Sequence, residues 1–179
     1  MSGLIEFLEC HMIARDLRRG RVDAVDRLFE LLAKPLYHYA LSVTRNAGDA
    51  EEVVQDVFLE MVRDPDRLGR VDDLKAYLYR AVRNTALNRR QRGNREIPSA
   101  EILFEASAGD LPTEDRLALE QALDCLSDEQ REVVVLKTWH GLAFRDIAEL
   151  LQISPNTAAS RYRYALEHMR TALGGNVHA

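Results

Sequence analysis

Between Leu74 and Arg95 the chain carries seven basic residues (Lys75, Arg80, Arg83, Arg89, Arg90, Arg92 and Arg95), no acid, and two tyrosines, Tyr77 and Tyr79. Rings beside guanidinium groups suit single-stranded nucleic acid, because unstacked bases lie on rings while phosphates meet positive charge. The same residues also describe an ordinary helix with half-buried tyrosines and solvated arginines, so both readings stand at this point. Further on, Asn156, Thr157, Ser160, Arg161, Arg163 and Tyr164 gather near the start of the final helix. These types supply donors to base edges and phosphates, although a helical hairpin with a solvated basic face would use them too. A third segment has the opposite sign: Asn46 to Asp66 holds seven acids against Arg63 alone. Its Glu52, Gln55, Asp56 and Glu60 make either a docking face for a basic partner or a plain surface helix.

Enzyme chemistry finds less support. None of the five histidines (His11, His38, His140, His168, His178) has a Glu three residues before it, so the Glu-x-x-His ligands of a di-iron bundle are missing. His-Glu-x-x-His, Gly-x-Ser-x-Gly and a phosphate-cradling Gly-rich loop are absent as well. Cys10 and Cys125 build neither a disulfide framework nor a zinc site. His140 reads as a cap or packing residue, and Cys125, between Leu123 and Leu126, as core. The expectation is no catalysis, no cofactor and no metal.

The elements that must position these residues are helices. Ala50, Val53, Val54, Val57, Phe58, Met61 and Val62 recur at spacings of 3, 1, 3, 1, 3 and 1, the stripe of an amphipathic helix. Asp49, Glu51 and Glu52 sit in its first turn, where the helix dipole favours carboxylates. Val22–Leu32 and Leu36–Thr44 give one or two earlier helices, with Pro35 as a break or a new start. Arg63–Asp73 reads as a loop, and a helix from about Asp72 buries Leu74, Tyr77, Leu78, Ala81 and Val82. Its other face holds Lys75, Tyr79, Arg80, Arg83 and Asn84.

Residues 93–113 break the pattern and make the best linker, in which Ile102, Leu103 and Phe104 hint at a docked segment. Helices resume at Leu117–Leu126. Ser127 with Gln130 three residues later is a capping box opening Asp128 to about Trp139, and Gly141 closes that helix. Phe144–Leu151, a tight turn at Gln152–Ser154, and a helix from Pro155 to about Leu173 form a helix-turn-helix. Ala158, Tyr162, Ala165, Met169 and Ala172 should face its core. No strand signal occurs, so the fold class is all-α.

A chain of 179 residues suits one domain or two small ones, and 46% apolar with 30% charged residues is a globular balance. No apolar run approaches the roughly 20 residues of a membrane span, and the N-terminus lacks a signal-peptide pattern, so the expected location is cytoplasmic. The net charge of −5 conceals the segregation: Glu96 to Asp115 adds six acids and no base.

In order and spacing, AKPLYHYALSVTRNAGDAEEVVQDVFLEMVRD, LKAYLYRAVRNTALNRRQR and LSDEQREVVVLKTWHGLAFRDIAELLQISPNTAASRYRYALEHMR resemble the extracytoplasmic-function (ECF) sigma factors of bacterial RNA polymerase. The resemblance covers about Asp16 to Leu173. It implies a non-catalytic factor that binds core polymerase and directs it to promoters, with an N-terminal domain at 1–92, an acidic linker at 93–113 and a C-terminal helix-turn-helix domain at 114–179. It places Asp49, Glu52, Gln55, Asp56 and Phe58 against core polymerase. The loop from Leu68 to Asp73 and Tyr77, Arg80, Arg83, Asn84 and Asn88 would meet the opened −10 strand. Asn156, Thr157, Ser160, Arg161, Arg163 and Tyr164 would read the −35 element, and an anti-sigma factor is the implied regulator.

Three departures from the family's pattern stand out. Ala159 occupies a position that is commonly basic, shifting base reading toward Ser160, Arg163 and Tyr164. Ala143 replaces a hydroxyl N-cap, and Tyr77 stands where many relatives have Trp. The competing functions are a dimeric helix-turn-helix regulator and a sigma-like interaction module, each acting without polymerase.

Overall fold

The computed structural model describes residues 2–21, 23–64, 67–68, 70–92 and 113–175. Their regular structure is helical, in the order α1 (Ser2–Arg18), α2 (Asp23–Thr44), α3 (Ala47–Arg63), α4 (Leu74–Arg92), α5 (Thr113–Asp124), α6 (Asp128–Thr138), α7 (Phe144–Leu151) and α8 (Pro155–Gly175). The expected linker lies outside the described residues except for Thr113.

Helices α2, α3 and α4 form a bundle, with α1 packed on α2 through Cys10, Ile13, Ala14 and Leu17. The sequence reading did not single out α1 as a helix. Pro35 does not break α2. Leu28, Leu32, Leu36, Tyr39 and Ala40 form one fully buried stripe across it. Burial of that many side chains, at roughly 1.5–3 kcal/mol for each large one, outweighs the roughly 3 kcal/mol cost of an interior proline. In α3, Asn46 is the N-cap and its side chain accepts from the Asp49 amide at 2.9 Å. The expected apolar stripe is buried up to Met61, but Val62 is 58% exposed.

Helix α4 reverses one expectation. Tyr79 is buried with Leu74, Leu78, Val82 and Ala86, whereas Tyr77 is only partly covered. The stripe Leu78–Val82–Ala86 runs at spacings of four, and position 79 lies beside it toward α2 and α6. Tyr39 fixes the choice, its ring centroid 5.3 Å from that of Tyr79.

In the C-terminal unit the capping box forms in both directions: Ser127 Oγ accepts from the Gln130 amide, and Gln130 Oε1 accepts from the Ser127 amide. Gly141 (φ 64°) follows α6, and Gln152 (φ 57°) makes the turn between α7 and α8. Ala143 caps α7 without a side-chain hydrogen bond. Ala122, Leu123, Leu126, Val134, Ala165 and Met169 form a local core. Cys125 is exposed rather than part of it. The chain turns out of α5 there, and Leu123 and Leu126 take the inward positions.

The buried Arg131 ties α6 to the end of α5. Its Nη2 donates to Leu123 O at 2.6 Å and to Asp124 Oδ1 at 2.9 Å. A second apolar cluster runs without interruption from α1–α4 into Val133, Val135 and Leu136 of α6 and Ile147, Ala148 and Leu151 of α7. The two helical units are therefore docked. Among the described residues, no helix is long and apolar enough to cross a membrane.

Candidate nucleic-acid interface

Helix α4 presents its polar side chains on two flanks. Asn84 and Asn88 are exposed. Tyr77 borders a cleft of about 180 Å³ between α3 and α4, lined also by Met61, Asp64, Arg67, Leu68 and Ala81. The Arg67 guanidinium lies 5.9 Å from the Tyr77 ring centroid. A cleft with a ring on one wall and a cation over it offers stacking and charge together, the two contributions that hold an unpaired base. Arg67 was not singled out from sequence, because only the fold brings a residue of the preceding loop over Tyr77.

Arg80, Arg83, Arg89 and Arg90 of α4 are engaged within the chain. Arg83 grips Glu132 of α6 with both ends of its fork, Nε to Oε1 at 2.8 Å and Nη2 to Oε2 at 3.2 Å. Glu132 Oε1 also accepts from the Tyr39 hydroxyl at 2.8 Å. Burial pulls the Arg83 pKa down, but the Glu132 hydrogen bonds and charge prevail and raise it. Burial first, then Glu132, pushes the Tyr39 hydroxyl well above its ordinary value. Arg80 donates to Glu149 of α7 at 3.1 Å, with its side chain still 46% exposed. Arg90 and Arg45 each reach Asp128 at 2.6 Å, one on each carboxylate oxygen.

Beneath this polar rim Tyr79 and the imidazole Nδ1 of His140 share a hydrogen bond of 2.9 Å. His140 is a packing residue. Burial, then the positive charges of His38 and Lys75, depress its pKa to about 3. It is therefore neutral near pH 7, and Nδ1 accepts from the Tyr79 hydroxyl when Nε2 carries the proton.

The acidic face of α3 holds together as expected only in part. Asp49, Glu52, Gln55 and Asp56 stay at the surface, but Phe58 is 6% exposed and packs edge-on against Phe29 at 4.9 Å. It anchors the helix and presents no face to a partner, because it shares the stripe of Val54 and Met61. Leu59 and Val62, 54% and 58% exposed, supply the apolar surface instead. Arg89 of α4 sits over the acids, beside Asp49 at 3.5 Å, Asp56 at 3.8 Å and Glu52.

In α8 the Ser154 hydroxyl accepts from the Thr157 amide at 3.0 Å, starting the helix as its Ser-Pro sequence requires. Asn156, Thr157, Arg163 and Tyr164 are exposed, while Ser160 and Arg161 are partly covered. Arg163 stacks on the Tyr164 ring at 5.1 Å. The six residues share one end and one side of a helix, the position from which a recognition helix enters a major groove.

Two family models match the sequence. Sigma-70 region 2 matches residues 28–96 and Sigma-70 region 4 matches residues 116–169. The ECF RNA polymerase sigma factor SigL of Mycobacterium tuberculosis is 30% identical over 153 residues, covering 82% of this chain and 86% of the relative. The chain belongs to the ECF sigma factors. SigK of Mycobacterium ulcerans, also an ECF sigma factor, is 27% identical over 92% of this chain and 94% of its own length. Among solved structures, the sigma factor RpoE in complex with the anti-sigma factor NepR, from Bartonella quintana, aligns with a TM-score of 0.64 at 27% identity, covering 83% of this chain and 97% of that one. CnrH in complex with the cytosolic domain of CnrY shares the fold, with a TM-score of 0.69 at 21% identity over 93% of this chain and 98% of that one. As an ECF sigma factor the protein directs promoter-specific transcription initiation, and the regulator and interaction-module readings are not favoured.

Proposed function

We propose that three surfaces divide the work of this sigma factor. The α3 face of Asp49, Glu52, Gln55 and Asp56, with Leu59 and Val62 beside it, meets core polymerase. Tyr77, Arg80, Arg83, Asn84 and Asn88 on α4 receive the opened −10 strand, one base entering the cleft under Arg67. Asn156, Thr157, Ser160, Arg161, Arg163 and Tyr164 read the −35 duplex. The functional boundaries follow as 1–92, 93–113 and 114–179. The protein carries no catalytic group of its own, acts in the cytoplasm where the DNA is, and is held in check by an anti-sigma factor, a reading supported by the similar sigma factor RpoE in its complex with the anti-sigma factor NepR.

The observation that carries this reading is the pairing of a ring-walled cleft with exposed Asn84 and Asn88 on a helix whose basic residues face no acid of their own helix. Run-off transcription with core polymerase on genomic fragments tests it. Added protein should produce discrete promoter-dependent transcripts, and Asp56→Arg should abolish both core association and those transcripts. Transcripts independent of the added protein would sink the proposal.

A further inference from the structure

Arg15, Arg18, Arg19 and Arg21 crowd the end of α1 and the turn after it, all exposed, in a chain whose net charge is −5. The acid among them, Asp16, does not balance them. It is buried, and its carboxylate already meets Arg27 at 3.0 Å and Arg21 at 4.0 Å. Arg15 and Arg19 pair with no acid among the described residues. The region 2 match begins at residue 28, so this end of α1 lies outside the segment shared with the family model.

The same end is fixed beside the loop that leads into α4. The Arg18 guanidinium reaches the Val71 carbonyl at 3.5 Å, and α1 packs on α4 as well as on α2. The Val71 amide donates to Leu68 O at 3.1 Å and the Arg70 amide to Arg67 O at 3.2 Å, so this part of the loop is a folded turn. Arg67 in turn lies over Tyr77 in the cleft. Cationic groups thus follow one another from the cleft through Arg67 and the exposed Arg70 to the end of α1. Of the two acids beside them, Asp73 is engaged in starting α4, where its Oδ1 accepts from the Ala76 amide at 2.9 Å, and Asp72 is exposed.

We propose that Arg15 and Arg19 form a further contact for the opened promoter strand, holding backbone phosphates next to the base in the cleft, with Arg18 as the positioning residue that keeps the intervening loop in place. This deepens the assignment of α4 to the −10 strand and rests on it. A strand that turns one base into a cleft keeps its phosphates outside, against whatever charge borders the entrance. Arg15 and Arg19 give up no internal ion pair when a phosphate arrives, and each offers it a fork of donors. Phosphate contacts position a strand and carry no sequence information, so the end of α1 adds affinity without specificity.

The test uses holoenzyme assembled from core polymerase and the full chain. It is titrated across a salt series with a dye-labelled promoter fragment from the run-off assay, mismatched over the −10 region so that it is already open. Arg15→Gln/Arg19→Gln should bind roughly tenfold more weakly at low salt, and its slope of log affinity against log salt should be smaller by about 1.4, at about 0.7 for each charge withdrawn from a single strand. Arg15→Lys/Arg19→Lys should restore both. Discrimination against a substituted −10 base and association with core should match the wild type in either variant. Uncharged methylphosphonate linkages, placed singly through the opened region, should locate the contact: those that weaken the wild type should leave the Gln variant unaffected. An unchanged salt slope, weakened core association or lost base discrimination in the Gln variant would each overturn the α1 contact while leaving promoter-dependent transcription in place. A wild type that yields no promoter-dependent transcript would overturn the promoter assignments themselves, and the α1 contact with them.

Discussion

Acidification from pH 7 to pH 5 should weaken the seat of His140 in a way that one substitution removes. In the folded protein its pKa is about 3, and burial is the main cause. In the unfolded chain it is near 6.5, so between these values the unfolded state binds the extra proton and stability falls with pH. At pH 5 the difference amounts to about 2 kcal/mol, and at pH 7 it is close to zero. Asp128 does not share this window. Its pKa is lowered from 3.8, despite burial, by Arg90 and Arg45. Its contribution is therefore present above the unfolded value and lost only at lower pH, through the folded one.

His38 is lowered too, by burial and then by Lys34, and adds to the wild-type loss. The difference between wild type and His140→Gln isolates His140, since a neutral amide still accepts from the Tyr79 hydroxyl. Urea unfolding at pH 7 and pH 5 should show the wild type losing about 2 kcal/mol more than the variant. Equal losses in the two proteins would refute the buried, neutral imidazole.

Ala143→Ser should raise stability by about 0.5–1 kcal/mol in thermal unfolding, because the extended Ala143 starts α7 without a side-chain acceptor. Phe58→Ala should cost about 3–5 kcal/mol in urea unfolding. Leu59→Asp should leave stability within about 0.5 kcal/mol but weaken core-polymerase association at least tenfold in a pull-down titration. Arg131→Met should cost about 1.5–3 kcal/mol in the same unfolding measurement, since it leaves the Leu123 carbonyl without its charged donor.

Local signals were legible in the sequence because their physics spans one turn. The Ser127–Gln130 box, the uncapped Ala143, the Ser154 start and most of the α3 stripe depend on neighbours within four residues. The misplacements came from partners far along the chain. Tyr79 is drawn inward by Tyr39 and His140, the latter 61 positions away. Arg83 finds Glu132 at 49 positions. Pro35 survives inside α2 because the tertiary stripe outweighs a local preference, and Phe58 turns inward to meet Phe29. Of the proposed DNA contacts, the α8 residues were marked by their place at the start of a helix-turn-helix and the α4 residues by the resemblance to sigma factors, whereas the cleft and Arg67 required a fold to bring a loop beside a helix.

The position of Arg89 changes what association with the polymerase would consist of. A guanidinium resting among Asp49, Glu52 and Asp56 is already their counterion. A cationic partner docking there would displace a tenant instead of filling a vacancy, and the net number of small ions released would be smaller than the count of carboxylates implies. Recruitment would then tolerate rising ionic strength better than a bare acidic surface could, and the evicted Arg89 would become available to the nucleic acid that arrives next.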